Sequence, residues 1–196
     1  MEETDTNRIR AHVQEVLGPA GSHGLDHIER VTAMCERIGR IEHADMAVLI
    51  PAALLHDIAR PREKEEGIPH EQEGALMAEL FLTALPYTAG SIPAIAHAIR
   101  AHRFRSTETP VTLEAQILSD ADKLDAMGAV GIARTFMRAG EHQGTMDDAI
   151  RHFHEKLLHL SGRMYTDTGR TIAKERHALL SRFLAALHEE MDGCRT

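Results

Sequence analysis

The sequence predicts an all-α protein, a single-domain helical bundle that covers residues 1–196. Apolar residues recur mainly at helical intervals of three and four, whereas the alternation that is typical of strands is scarce. A chain of 196 residues with 43% hydrophobic residues can form one core. The sequence contains no internal repeat, low-complexity tract or long linker, so no domain boundary is expected.

The first three helices are predicted over residues 6–17, from about residue 26, and over about 44–58. In the first two, apolar residues share one face: Ile9, Val13, Val16 and Leu17, and then Val31, Met34, Cys35 and Ile38. The segment Gly18-Pro19-Ala20-Gly21 ends the first helix. The third helix contains the apolar run Ala52–Leu55, and the pair His56-Asp57 is expected in its last turn.

A charged loop is predicted over residues 60–69, where Pro61, Gly67 and Pro69 interrupt the helical pattern. A fourth helix over about 71–84 follows this loop. Its apolar residues are Ala75, Leu76, Leu80 and Leu82, which recur at helical spacing and predict a face that packs against the core.

The fifth helix is predicted to begin near Ser91, because Ser followed by Pro93 suits the start of a helix, and it would carry His102. Thr112 is the expected cap of a sixth helix over about 112–126, which has an acidic end. Three further helices are predicted over about 128–139, 145–161 and 168–191.

Charge and composition disfavour several classes of function. The net charge of −8 opposes nucleic-acid binding, which needs Lys and Arg, and five Phe, two Tyr and no Trp make a base-stacking surface unexpected. No apolar run approaches the length of a membrane span, and the acidic start does not resemble a signal peptide. We therefore expect a cytoplasmic protein without a membrane partner, with Cys35 buried and Cys194 a thiol in a tail.

The pair His56-Asp57 is the most informative chemical feature. About one such pair is expected by chance in this composition, so its importance comes from its position after an apolar run, with His27 upstream and Asp122 downstream. Two imidazoles and two carboxylates could form one divalent-metal site, and the lack of a thiolate argues against structural zinc. Mn, Fe, Mg and Zn are all expected candidates, and open coordination positions would suit hydrolysis.

These residues resemble the H…HD…D pattern of the HD-domain phosphohydrolase superfamily. The segments Leu54–Ile58 and Asp120–Ala129 are also similar to family segments, and the resemblance covers roughly residues 20–135. It implies an all-helical fold with a buried divalent metal, held by His27, His56, Asp57 and Asp122. It also implies hydrolysis of phosphate esters or phosphoanhydrides, in which Asp57 would orient the water as well as bind the metal.

Three acidic residues near the end of the sixth helix are distinguished by the same resemblance. Asp122 matches the metal ligand better than Asp120, because Ala121–Leu124 is similar to the corresponding family segment. Asp120 and Asp125 are then expected to lie behind the ligands or to contact the substrate.

The resemblance also implies roles for residues beyond the four ligands. His70 begins a segment similar to the HxxxGA step of two-metal relatives, but the paired histidines of those relatives are missing and only His102 stands at the comparable place. One metal is therefore favoured, with His70 and His102 as catalytic candidates that touch substrate phosphates. Lys123, Arg103 and Arg105 could bind phosphate oxygens; the alternatives are a surface ion pair for Lys123 and solvated loop charges for the two arginines.

The expected activity is metal-dependent hydrolysis of a nucleotide, with nucleoside triphosphate pyrophosphohydrolase or phosphatase activity first. A nucleoside monophosphate phosphatase and a cyclic-nucleotide phosphodiesterase are alternatives, although the GYP loop of cyclic dinucleotide enzymes is absent after His102. A non-catalytic regulatory module that binds metal and ligand is an alternative of another class. The apolar faces of the last two helices suit either a core or a homodimer contact.

Overall fold

A computed structural model describes residues 3–18, 24–85, 87, 90–104 and 106–193. These residues form helices and no strand, which confirms the all-α prediction. The α-helices are α1 (Glu3–Leu17), α2 (Leu25–Glu42), α3 (Met46–Leu55), α4 (Arg60–Glu66), α5 (His70–Thr83), α6 (Ile92–Ala101), α7 (Leu113–Asp125), α8 (Gly128–Glu141), α9 (Met146–Glu155) and α10 (Asp167–Gly193). A 3₁₀ helix, Leu157–Arg163, precedes α10. Among the described residues, no helix combines the length and the apolar character that crossing a membrane requires.

The chain divides into two compact units, Met1–Asp122 and Lys123–Thr196, and the division falls within α7. Each unit has a buried core of its own. The expectation of one domain over residues 1–196 stays a prediction.

Helix α3 is the centre of the first unit. All its residues from Val48 to Leu55 are buried, and it packs against α1, α2, α5 and α6. A glycine brings α2 close to it: a Cβ atom added at Gly39 would lie 2.6 Å from Cδ2 of Leu49. Helix α2 carries His27 and α3 leads into His56, so the packed pair of helices carries both histidines.

Helix α3 contains an internal proline, and the main-chain hydrogen bond that this proline removes is partly replaced. Pro51 has no N–H, so the carbonyl of Ala47, four residues earlier, loses its helical donor. The hydroxyl of Tyr87 donates a hydrogen bond to that carbonyl over 2.7 Å. Burial raises the pKa of Tyr87 to about 12, with help from Asp5 and Asp45, so this hydroxyl keeps its proton at ordinary pH.

The second unit has an aromatic core. The rings of Phe136, Phe153 and Phe183, one from each of α8, α9 and α10, have centroids 5.9–6.0 Å apart. Helix α9 begins at a capping box in which the Thr145 hydroxyl accepts from the N–H of Asp148 and the Asp148 carboxylate accepts from the N–H of Thr145.

The predicted loop over residues 60–69 is wrong for its first part, because α4 occupies Arg60–Glu66. Pro61 lies in the first turn, where a helix needs no N–H from it, and Gly67 ends the helix with φ +72°. The helix has no buried residue, so it lacks the apolar periodicity by which the other helices were predicted.

Two other predicted boundaries need correction. The helix predicted over 145–161 ends at Glu155; Lys156 leaves the helical region with φ −133°, and the 3₁₀ helix follows. His102 and His56 lie one residue beyond the ends of α6 and α3 rather than inside them. Cys35 is buried as predicted, whereas Pro19–Gly21, Arg105 and Cys194 lie outside the described residues.

Candidate metal centre

Three helices bring the predicted metal ligands together. His27 lies in the first turn of α2, the pair His56-Asp57 directly follows α3, and Asp122 lies in the last turn of α7. His27, His56 and Asp57 have no exposed surface, and the Asp122 side chain is 24% exposed. The apolar run Ala52–Leu55 places the His-Asp pair in the core of the first unit because all four of its residues are fully buried.

The distances show that these side chains converge. Nε2 of His27 lies 3.3 Å from Nε2 of His56, 3.6 Å from Oδ2 of Asp57 and 3.5 Å from Oδ1 of Asp122. Nε2 of His56 lies 3.8 Å from Oδ2 of Asp57. Nε2 of His27, Nε2 of His56 and Oδ2 of Asp57 therefore face a common point, and Asp122 approaches this group with its Oδ1 beside Nε2 of His27.

The His56 ring is oriented as a metal ligand requires. Its Nδ1 lies 2.7 Å from the carbonyl oxygen of Ala53, which can only accept, so Nδ1 carries the proton and Nε2 presents a lone pair. Burial lowers the pKa of His56 to about 3, which keeps the ring neutral at ordinary pH. A neutral imidazole and buried carboxylates are the donors that a divalent transition metal prefers, so the residues fit the cation that the sequence implies.

Neighbouring side chains stabilise the ionised form of Asp122. Burial opposes ionisation, but the neighbouring imidazoles, chiefly those of His27 and His102, outweigh it and hold the pKa of Asp122 well below its usual range. The carboxylate is therefore ionised, as a metal ligand must be.

The other oxygen of Asp57 faces a different set of side chains. Oδ1 lies 2.9 Å from Nε of Arg60, 3.2 Å from Nε2 of His70 and 3.6 Å from Nε2 of His102. The His102 ring is anchored like that of His56, because its Nδ1 donates to the carbonyl of Ile99 over 2.6 Å. Asp57 thus joins two groups of polar side chains, one through each oxygen.

Carboxylates and a second arginine surround the far edge of His70. Nδ1 of His70 lies 3.0 Å from Oε2 of Glu63 and 3.5 Å from Oε2 of Glu71. Nη1 of Arg103 lies 3.0 Å from Glu71 and 3.2 Å from Oε1 of Glu63. Burial raises the pKa of Glu63, but His70, Arg60 and Arg103 together lower it below its usual value.

Arg60, Glu63 and Glu71 were not predicted as site residues. Arg60 follows Asp57 by three residues, so a helix over 60–66 would have placed Arg60 and Glu63 near the predicted site, and Glu71 adjoins the predicted His70. Because residues 60–69 were predicted to form a loop, this helical spacing was not recognised.

Of the remaining predicted residues, Asp120 belongs to the first unit and Lys123 and Asp125 belong to the second. Nζ of Lys123 lies 4.8 Å from the ring centroid of Tyr165, and Asp125 forms an ion pair with Arg134. Asp120 is fully buried, and Arg105 lies outside the described residues.

Within the part of the chain that is described, three groups of side chains could hold a metal ion. They are His27, His56 and Asp57; Asp57, His70 and His102; and Glu63, His70 and Glu71. In each group the ligand atoms lie within 4.8 Å of one another.

The fold and the centre define a class: helical proteins with a buried His/Asp site that is able to hold a divalent cation. The chain belongs to the HD domain family, whose model matches residues 24–127. The matched span contains His27, His56, Asp57 and Asp122, together with Arg60, which is not among the predicted residues.

Similar proteins come from several bacteria. The uncharacterized protein YpgQ of Bacillus subtilis (strain 168) is 34% identical over 197 residues, which cover 95% of this chain and 93% of YpgQ. The crystal structure of Bacillus subtilis YpgQ in complex with ADP matches with a TM-score of 0.79 and 31% identity, covering 96% of this chain and 98% of that one. An HD-superfamily hydrolase from Bacillus thuringiensis matches with a TM-score of 0.78 and 28% identity over 98% and 99% of the two chains.

Proposed function

We propose that the protein hydrolyses a phosphate bond of a nucleotide with a divalent cation held by His27, His56, Asp57 and Asp122. The observation that carries this proposal is the buried convergence of His27, His56 and Asp57, with 3.3–3.8 Å between neighbouring atoms. Oδ1 of the partly exposed Asp122 lies 3.5 Å from Nε2 of His27. The complex of YpgQ with ADP supports a nucleotide as the ligand. The preferred reaction is removal of pyrophosphate, or of phosphate, from a nucleoside triphosphate.

Each side chain has a defined part in this reaction. A bound Mn, Fe, Mg or Zn ion supplies Lewis-acid chemistry, which neutralises phosphoryl charge and makes water more acidic. Asp57 orients the attacking water. His70 and His102, whose Nε2 atoms lie 3.2 and 3.6 Å from Asp57, accept and relay its proton.

Cationic side chains hold the phosphates. Arg103 is 36% exposed and pairs with Glu71 and Glu63, so binding of a phosphate would replace one charged partner with another. Lys123 and Arg105 are proposed to contact phosphate oxygens as well, and Asp120 and Asp125 to support the site from behind.

The test is a panel of nucleoside triphosphates, diphosphates, monophosphates and cyclic nucleotides, assayed for pyrophosphate and phosphate with metal-stripped and Mn²⁺-loaded protein. Pyrophosphate release that needs Mn²⁺ is expected. His56→Ala should lower the rate by more than about 100-fold, because the loss of a residue that merely supports a ligand already costs about 10–100-fold. His142→Ala, at an exposed histidine, is the matched control.

The same panel separates the alternatives. Phosphate released only from monophosphates would indicate a nucleoside monophosphate phosphatase, and opening of a cyclic nucleotide would indicate a phosphodiesterase. Nucleotide binding without any product would indicate a regulatory module. Turnover that persists undiminished when His56→Ala and Asp57→Ala are combined would overturn the metal-dependent mechanism.

A further inference from the structure

We propose that Arg60 occupies the place of a second cation beside Asp57, so that the centre holds one divalent ion rather than two. The inference rests on the proposed function, because it concerns the same site and assumes that the His27 side of Asp57 binds the ion. In this proposal Arg60 is a positioning residue for Asp57 and also limits the number of bound ions.

The Arg60 side of Asp57 carries a ligand set of its own. Oδ1 of Asp57, Nε2 of His70 and Nε2 of His102 lie within 4.8 Å of one another, and all three residues are buried. Two imidazoles and a carboxylate form a donor set that divalent transition metals accept. Ligand chemistry alone would therefore allow an ion on each side of Asp57.

The guanidinium of Arg60 already forms an ion pair with the shared oxygen. Its Nε lies 2.9 Å from Oδ1, closer than either imidazole nitrogen. Arg60 stays protonated at every ordinary pH, so Oδ1 always faces a full positive charge. A divalent ion bound to the same oxygen would have to displace that charge or be repelled by it.

Further contacts hold Arg60 in place. Nη1 of Arg60 lies 2.9 Å from Oε2 of Glu63, and Arg60 is the first residue of α4, which fixes its backbone three residues after Asp57. The carboxylates that could complete a second ion's coordination are also engaged, since Arg103 pairs with both Glu63 and Glu71. The guanidinium groups of Arg60 and Arg103 thus neutralise the carboxylates on this side of the centre.

The test measures bound metal rather than turnover. Metal-stripped protein is dialysed against a series of Mn²⁺ concentrations, and bound Mn²⁺ per chain is measured by mass spectrometry, with electron paramagnetic resonance to detect coupled ion pairs. The wild type should bind one Mn²⁺ and show no coupling. Arg60→Gln should bind two and show a coupled signal, whereas Arg60→Lys, which keeps a positive charge, should bind one.

Two further variants keep the result interpretable. Arg62→Gln removes an arginine that is half exposed and pairs with Glu73, and it should leave the stoichiometry at one. His70→Ala in the wild-type background should also leave one ion bound, so this prediction stands even where Arg60→Gln does not fold, as judged by circular dichroism.

The proposal is overturned by two ions bound to the wild type, by one ion bound to folded Arg60→Gln, by loss of the ion in His70→Ala, or by no bound Mn²⁺ at all. Its failure is distinguishable from that of the proposed function. One ion in the wild type and two in Arg60→Gln, without hydrolysis of any nucleotide, would support the role of Arg60 and reject the enzymatic proposal.

Discussion

The negative charge of Asp57 has different surroundings at its two carboxylate oxygens. On the Oδ2 side, the Asp57 carboxylate lies near His27 and His56, and Asp122 adds a second carboxylate beside His27. A divalent cation bound from solution would compensate this negative charge. On the Oδ1 side the attached cation of Arg60 supplies the compensating charge. From this comparison we infer that neighbouring cations, as well as the ligands themselves, determine where a metal binds.

The largest effect is expected for Asp57→Ala, which breaks the comparison by removing the residue that both sides share. The affinity for Mn²⁺ should fall by more than about 100-fold. The metal-free protein should lose about 3 kcal/mol of unfolding free energy, because Arg60 is left without its buried partner. Isothermal titration with Mn²⁺ and denaturant unfolding measure the two effects.

Asp26→Ala is the matched control, because this carboxylate is 74% exposed and pairs with Arg30 on the helix surface. An exposed pair of this kind contributes less than about 1 kcal/mol. Equal losses in the two variants would contradict a special role for the buried pair.

A smaller effect is expected for Gly39→Ala, which acts on the Oδ2 side alone. The new methyl group would lie 2.6 Å from Cδ2 of Leu49 and 3.0 Å from Sδ of Met46. Both atoms are the ends of flexible side chains that can move aside, so the loss of unfolding free energy should be only about 1 kcal/mol, measured by denaturant unfolding, and Mn²⁺ affinity should fall far less than in Asp57→Ala. Gly162→Ala, where an added methyl group meets no atom, should change neither quantity.

The last effect is expected in the pH dependence of the metal-free protein, where it is spread over several pH units and the two sides should differ in sign. Burial lowers the pKa of His56 to about 3, below its ordinary value of 6.5. The unfolded chain then takes up the proton first, so stability is lost as pH falls from 6.5 towards 3. The slope attributable to His56 is at most about 1.4 kcal/mol per pH unit.

His102 should contribute in the opposite direction. Burial lowers its pKa, but the Asp57 carboxylate outweighs burial and raises the pKa above the ordinary value. Its contribution is present at low pH and is lost as pH rises through the raised pKa. Unfolding free energies measured from pH 3 to 9 for His56→Ala and His102→Ala should therefore show slope changes of opposite sign; changes of the same sign would contradict the comparison.

The sequence predicts one side of Asp57 better than the other. His27, His56, Asp57 and Asp122 belong to a pattern of residue types that can be read along the chain, and the apolar run before His56 predicts its burial. The structure brings all four together. Long helices with an apolar face, such as α2, were predictable for the same reason.

The Arg60 side was not predictable because its helix has no apolar face. All seven residues of helix α4, Arg60–Glu66, are charged or proline and none of them is buried, so neither burial nor periodicity marks it as helical. Its contribution comes from ion pairs with residues distant in sequence, such as Arg103, and these depend on the tertiary fold. Pro61 was read as a helix breaker although it is well tolerated in a first turn.

The rings of His56 and His102 are both tied to main-chain oxygens three residues earlier, those of Ala53 and Ile99. Each ring is thus oriented by the end of its own helix as well as by the side chains around it. Inserting or deleting one residue between the carbonyl and the histidine would break this hydrogen bond and turn the ring away from Asp57.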